Sequence, residues 1–517
     1  MESISESKKT QKDLFTPALI TFFIIYFTQT FFVGWFLIDW RHINSAIFFF
    51  GFEVIFIGIA YDITESLFAI FASPLRTPRI NKLVEYPSVA VLMTVCDDSN
   101  PARWNTLHQN YPNCDTFILD DSTSPEEQAL VDQSGYSVIR RPEKISYKAG
   151  NLNYWLKHFG KNYKYFVILD SDSLITPDFV ENLVAYAEHP SNKGIAIFQS
   201  LIYPVDENTI FSKVLGSVAH FRFYIATRFA NRTGLILSWG HNQLLRTQAI
   251  FEVGGFCEKI SPEDSTLSLE LSRAGYSIQL VDISSYDTDP PNIFAFMRRI
   301  VRWAGQTAEV FLLPWDGASI RLKLLLCHHF YTYTVHNIYL LLLLYTAWGF
   351  DSHGISPLKL FQFIGNNFEE MWLWTLVLAE MTLLWMLQFV LRFCLALRAG
   401  ISIKKFFTHL LLATALHSLT GMAVDYSIIK VLLGKKMVFR PTNIKKIDSK
   451  NDMFNFRMDA IFWFFSGTTI LLGMCLRNYL LFFSLNGLWI LFWIAAPFTL
   501  LFFHRDQIDR RRLTWKN

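Results

Sequence analysis

The distribution of apolar residues constrains this chain more than any other feature. They make up 51% of its 517 residues and gather in blocks towards the two ends. Between the blocks lies a stretch of about 200 residues with an ordinary polar–apolar mixture, enough for one domain. A bilayer crossing takes about 20 apolar residues. Six blocks are long enough: 15–38, 45–72, 326–349, 371–394, 458–476 and 479–503. The expectation is an N-terminal two-helix transmembrane segment over 1–75, a water-exposed domain over 76–310, and a C-terminal transmembrane region over 311–517.

A seventh apolar stretch, 407–434, carries His409, His417, Asp425 and Lys430, each costly at mid-bilayer depth. If it spanned, the following Lys435, Lys436, Arg440, Lys445 and Lys446 would lie outside, against the rule that basic residues stay on the cytoplasmic side. It is therefore expected to lie in the interface or to re-enter. Six crossings then place both termini and residues 75–325 in the cytoplasm, in a plasma (inner) membrane. The charges agree: the outer connections hold Arg41, Lys359 and Arg477, while the C-terminal tail holds Arg505, Arg510, Arg511, Arg512 and Lys516. The polar leader Met1–Asp13 precedes a run longer than a signal-peptide core, which is expected to stay as an anchor. A net charge of +3 is too weak to suggest a nucleic-acid partner. The six cysteines form no CxxC pair and read as ordinary thiols.

From about Tyr86 the pattern becomes short apolar runs ending in polar turns, alternating with helical stretches. Ser88–Thr94, Thr116–Leu119, Tyr165–Leu169 and Ile195–Gln199 read as buried strands; Ala149–Phe159 and Thr266–Gly275 read as helices. That alternation predicts an α/β domain with a mostly parallel sheet covered on both faces. Ligands bind such sheets at the carboxyl ends of the strands, and the acids fall there.

Asp170 and Asp172 leave an apolar strand two residues apart and suit one hard cation, Mg2+ or Mn2+, together with a diphosphate, although a capped, solvated turn has the same pattern. Asp120-Asp121 repeats the arrangement one strand earlier and suits a base or ribose, although an Asx turn explains it as well. Lys148, ahead of a glycine turn and a helix start, can face phosphate, although a plain glycine turn before a helix reads the same. Glu263-Asp264 after Pro262 reads either as a capping cluster or as a general base for an acceptor hydroxyl. In the basic stretch 298–303, Arg302 can neutralise a departing nucleoside diphosphate and Trp303 can floor a sugar ring; a plain membrane-surface anchor has the same composition.

In this order the residues resemble the membrane-integrated, processive branch of the inverting family-2 glycosyltransferases, which includes cellulose, chitin and hyaluronan synthases. The likeness runs from about Ser88 to Thr442, and KAGNLN at 148–153 is its most specific part. It implies a GT-A-like domain inserted in about six transmembrane helices plus interfacial helices, with a UDP-sugar donor and a growing glycan acceptor. An accessory export protein or a homo-oligomer is a further partner it allows. Thr94, Asp120 or Asp121, and Lys148 would contact UDP, and Asp170 and Asp172 would hold the metal. Asp264, with Glu263 beside it, would be the base; Gln199, His241 and Trp303 would lie near the acceptor and sugar pocket. Residues 435–457, with Phe439 and Thr442, resemble a gating loop. The implied activity is elongation and extrusion of a β-linked polysaccharide; the alternative is transfer of a single sugar to a lipid or oligosaccharide. Two departures stand out: Pro262 replaces the Thr of the Thr-Glu-Asp motif, and Arg299 replaces the Gln of Gln-x-x-Arg-Trp. In the membrane part, Glu53 and Glu380 are expected to face a bundle or wet cavity.

Overall fold

The computed structural model describes residues 13–32, 34–35, 43–74, 76–205, 209–290, 292–345, 383–384, 386–419, 421–437, 450–477 and 486–514. Two apolar helices come first, α1 (Phe15–Phe32) and α2 (Ile43–Phe71). Seven strands follow: β1 (Val89–Val95), β2 (Cys114–Asp120), β3 (Ser137–Ile139), β4 (Tyr165–Asp170), β5 (Ile195–Pro204), β6 (Gln243–Arg246) and β7 (Ser277–Asp287). They form one sheet in the order β3-β2-β1-β4-β6-β5-β7. Only β6 runs against its neighbours β4 and β5; the other pairs are parallel.

Alternation along the strands explains why the sheet is covered twice. On β1 and β4, Val89, Val91, Met93, Tyr165, Val167 and Leu169 point to one side, where Phe179 and Leu183 of helix 179–187 meet them. Ala90, Leu92, Phe166 and Ile168 point to the other, against α3 (Tyr147–His158) through Leu152, Trp155 and Leu156. Period-two side chains buried on both faces are what a central parallel strand requires. The three strands missing from the sequence-based expectation are β3, only three residues long, β6, a four-residue antiparallel insert, and β7, whose polar Asp282 and Ser284 interrupt its apolar run.

Past the sheet, α4 (Ile210–Arg228), α5 (Glu263–Arg273) and α6 (Ile293–Phe311) lead into α7 (Ile320–Leu344), α8 (Leu411–Ser418), α9 (Gly421–Leu432), α10 (Lys450–Arg477), α11 (Asn486–Ile494) and α12 (Ala496–Thr514). One apolar core runs through α4 and α6 to α12: Phe211, Ile293, Phe294, Met297, Tyr339, Leu416, Ile428, Trp463 and Trp493 all belong to it. The helix that carries Arg302 is thus built into the helical region as well as the sheet domain.

Among the described residues, one helix, Phe49–Phe71, is long and apolar enough to cross a membrane. A second passes only if Ile403–His417 and Gly421–Leu432 form one span, and these are bent by 45° at their break. That bend lies inside the stretch 407–434 expected to be interfacial or re-entrant. Its polar residues have partners: His409 Nδ1 lies 2.7 Å from Ser217 Oγ, and Asp425 accepts from Asn337. Glu53 is buried and accepts from Thr30 of α1 at 2.6 Å, so it faces a neighbouring helix as expected. Arg392, which the sequence reading passed over, joins α2 to helix 386–398 by pairing with Asp62 at 2.6 Å and Glu65 at 2.9 Å. Glu380, Arg41, Lys359, Phe439, Thr442 and most of the loop 435–457 lie outside the described residues.

Candidate active site

Register brings the acids together. Thr94 of β1 lies opposite Asp170 of β4, and Val95 lies opposite Asp120 of β2, so three parallel strands end level. Thr94 Oγ1 sits 3.4 Å from Asp170 Oδ1. Parallel strands point their final residues out of the same sheet edge, which is how residues about 25 to 80 positions apart come to line one cleft.

The Asp120-Asp121 pair is held by arginines. Asp120 is fully buried; its carboxylate accepts from Arg140 Nε at 2.7 Å and from the Ser122 N–H at 2.8 Å. Asp121 takes a bidentate grip from Arg141, at 2.9 and 2.6 Å. Arg141 also donates to the carbonyls of Ile145 and Tyr147, tying the β2 edge to the start of α3. Such forked pairs fix geometry as well as charge. Close packing here demands glycine at 150, where a Cβ would lie 2.2 Å from the Ile145 carbonyl oxygen. Ser146 and Tyr147 have left-handed backbones, with φ of 62° and 49°. Asp97 and Asn242, at 55° and 50°, complete the set of described non-glycine residues with positive φ, and Tyr147 and Asn242 directly flank Lys148 and His241. Strained backbone of this kind gathers where a surrounding structure imposes a functional geometry.

That strained turn delivers Lys148 into the centre. Its ammonium lies 2.5 Å from Asp170 Oδ1 and 3.8 Å from Glu263 Oε1, and donates to the Gly240 carbonyl at 3.1 Å. Burial disfavours its charge, but Asp170 and Glu263 more than offset this and raise its pKa. Asp170 answers in kind: burial pushes its pKa up, Lys148 and His241 pull it down further, and it settles at about 2.

Beyond Asp170 negative charge accumulates. His241 bridges Asp170 Oδ2 at 3.9 Å and Asp287 Oδ2 at 2.5 Å. Burial would keep the imidazole neutral, but the two carboxylates raise its pKa to about 10. Asp172 is driven up to about 7 by burial and by Asp287 and Asp170. Asp98, which accepts from Ser171 Oγ at 2.8 Å, is driven up to about 6, chiefly by burial. A surplus of oxygen donors and negative charge at one point is what a divalent cation relieves, so Asp170 and Asp172 fit Mg2+ or Mn2+. Among the described residues no group of three His, Cys, Asp or Glu side chains has metal-holding geometry. Asp287 escaped the sequence reading, although it is an acid closing a strand, the same signal that picked out Asp170.

Glu263 and Asp264 form the first turn of α5. The Ser265 N–H donates to Asp264 Oδ1 at 2.6 Å, and Glu263 Oε1 lies 3.8 Å from the Lys148 ammonium. Gly240, at φ +83°, passes so close that a Cβ would lie 3.4 Å from Asp264 Oδ2. Burial raises Glu263 to about 7 despite Lys148, and raises Asp264 as well. The opposite wall is α6, which buries Ile293, Phe294, Met297 and Ile300 and sets Arg299, Arg302 and Trp303 on one stripe. Arg302 feels Glu263, Asp170 and Asp264, so its guanidinium faces the same cleft. Trp303 is 39% exposed. Gln199 is fully buried, and its amide is spent on the Trp239 N–H and the carbonyls of His241 and Asn242. It therefore reaches the site through the loop that carries His241.

Residues 165–422 match the glycosyl transferase family group 2. The glucans biosynthesis glucosyltransferase H of Caulobacter vibrioides (strain NA1000 / CB15N) is 29% identical over 231 residues, covering 40% of this chain and 34% of that protein. Its counterpart in Rhodopseudomonas palustris (strain ATCC BAA-98 / CGA009) is 29% identical over 214 residues, covering 37% and 29%. The chain thus spans about a third of the length of the curated relatives it matches. Among solved structures, a mannosyltransferase from Pyrobaculum calidifontis in complex with GDP-Man and Mn2+ is 16% identical, with a TM-score of 0.46, over 68% of this chain and 99% of that one. The matched stretch opens on β4, takes in Asp170, Asp172, Glu263, Asp264 and the α6 stripe, and identifies the chain as carrying a glycosyltransferase family 2 domain.

Proposed function

We propose that this protein is a membrane-embedded, inverting glycosyltransferase that uses UDP-glucose to elongate a β-linked glucan and extrude it. The observation that carries the reading is the meeting of Lys148, Asp170, Glu263, Asp264 and Arg302 around one cleft. Asp264 removes the proton from an acceptor hydroxyl, and the freed oxygen attacks the anomeric carbon as the bond to the diphosphate breaks. Lys148 and Arg302 face the charge that develops on the leaving UDP. A divalent ion held by Asp170 and Asp172 would neutralise the diphosphate. A single attack from the opposite face turns an α-linked donor into a β-linked product. Glucose is favoured as the sugar because the curated relatives are named glucosyltransferases.

The test is a panel of radiolabelled nucleotide sugars given to purified protein with Mn2+, the products then sized on a gel. The reading expects a ladder or high-mass smear from UDP-glucose that a β-glucanase digests. A single short product would leave transfer standing and remove elongation. Unchanged donors throughout would remove transfer.

A further inference from the structure

Asp287 ends β7, and in the sheet β6 and β5 stand between that strand and β4. The two strand ends nevertheless meet: Leu174, just past β4, and Tyr286 exchange backbone hydrogen bonds of 2.8 and 2.9 Å. Beside this bridge one carboxylate gathers three donors. Asp287 Oδ1 accepts from Ser173 Oγ at 3.1 Å and from Asn242 Nδ2 at 3.3 Å, and Oδ2 accepts from His241 Nε2 at 2.5 Å. Ser173 belongs to the turn after β4, where its hydroxyl also accepts from the Asp170 N–H at 3.1 Å. His241 and Asn242 belong to the loop that carries Gly240. Lys148 is clamped between the same two segments, 2.5 Å from Asp170 Oδ1 and 3.1 Å from the Gly240 carbonyl oxygen. Among the described residues Asp287 forms its ion pair with His241 and not with Lys148, so its hold on the lysine is indirect. Hydrogen bonds from one charged group to two segments fix the distance between them.

Resting on the transferase reading above, we propose that Asp287 is a positioning residue for the donor diphosphate, which keeps Lys148 aimed by holding together the two segments that clamp it. Acting through its charge alone, an acid here would repel a diphosphate, and its removal would tighten binding. The test titrates UDP calorimetrically into the full-length protein in detergent at saturating Mn2+, and follows acetylation of individual lysines by mass spectrometry. Asp287→Asn should raise the Kd for UDP by about 10-fold. It should also speed acetylation of Lys148, while the exposed Lys157 on the same helix reacts at the wild-type rate. Ser173→Ala cuts one tie and leaves His241 and Asn242 held, so it should move both readouts the same way by a smaller factor. It decides the matter if Asp287→Asn does not fold. An unchanged or lowered Kd in these variants would overturn the proposal. So would a raised Kd with Lys148 acetylated no faster, since Asp287 would then act elsewhere. A wild type that neither binds UDP nor consumes a nucleotide sugar is a different result: it removes the transferase reading, and the positioning role with it.

Discussion

At the residue scale, the chemistry turns on carboxyls whose neighbours pull in opposite directions. Burial raises the pKa of Asp264, while the Ser265 N–H and Lys148 oppose it without prevailing. A base acts in its deprotonated form, so kcat/KM should climb as pH rises through that elevated value and be lost as pH falls below it. A pH–rate profile is expected to show an acid limb above the ordinary aspartate range of about 3.9; a limb at the ordinary value would mean another group is the base. Asp172 differs: its repulsion from Asp287 and Asp170 is what a cation relieves. Asp172→Asn should raise the Mn2+ concentration needed for half-maximal turnover by about 10-fold or more, and chelation should silence the wild type. An unchanged metal requirement in the variant would remove Asp172 from the metal site.

At the scale of elements, α6 has work at both ends. Below the Arg299–Trp303 stripe, Glu309 accepts from the Met437 N–H at 2.6 Å and from the Ser261 N–H at 3.3 Å. Gln306 donates to Ser261 Oγ at 2.9 Å. The helix therefore anchors both the loop leading to Glu263 and the chain leaving α9. Removing the carboxylate leaves two backbone donors without it, at about 1–3 kcal/mol each. In Glu309→Ala, trypsin should cut after the exposed Lys435 and Lys436 faster than in wild type, and kcat/KM should drop. An unaltered cleavage pattern would show that this anchor does not hold the segment. None of this was legible in the sequence, because Glu309 meets its partners 48 and 128 positions away. The strands were legible where both faces are apolar, as in β1 and β4. They were missed where the strand is very short, as in β6, or interrupted by polar residues, as in β7. The predicted helix at 266–275 began too late because Glu263 and Asp264 were read as residues ahead of a helix instead of its first turn.

Across the whole molecule, the sequence order of acids and bases carried most of the candidate site. Asp170, Lys148, Glu263, Asp264 and Arg302 share a cleft because strand ends and helix starts are where a parallel α/β sheet converges. What sequence order does not convey is which groups are spent holding others. Asp120, Asp121 and Gln199 are engaged by Arg140, Arg141 and the 239–242 loop, and long-range pairings of that kind leave no local pattern. Asp287 and Arg141 entered only when the fold closed around them. The apolar core shared by α4, α6 and the helices after it joins the cleft-bearing helix α6 to the helical region. The central claim is that this cleft transfers sugar with Asp264 as its base. The direct measurement is incorporation of label from UDP-[14C]glucose by purified wild type and Asp264→Asn, with UDP binding measured on both. The account predicts that incorporation falls by about 10²- to 10⁴-fold in the variant while UDP binding stays nearly unchanged. Comparable incorporation by the two proteins would contradict it.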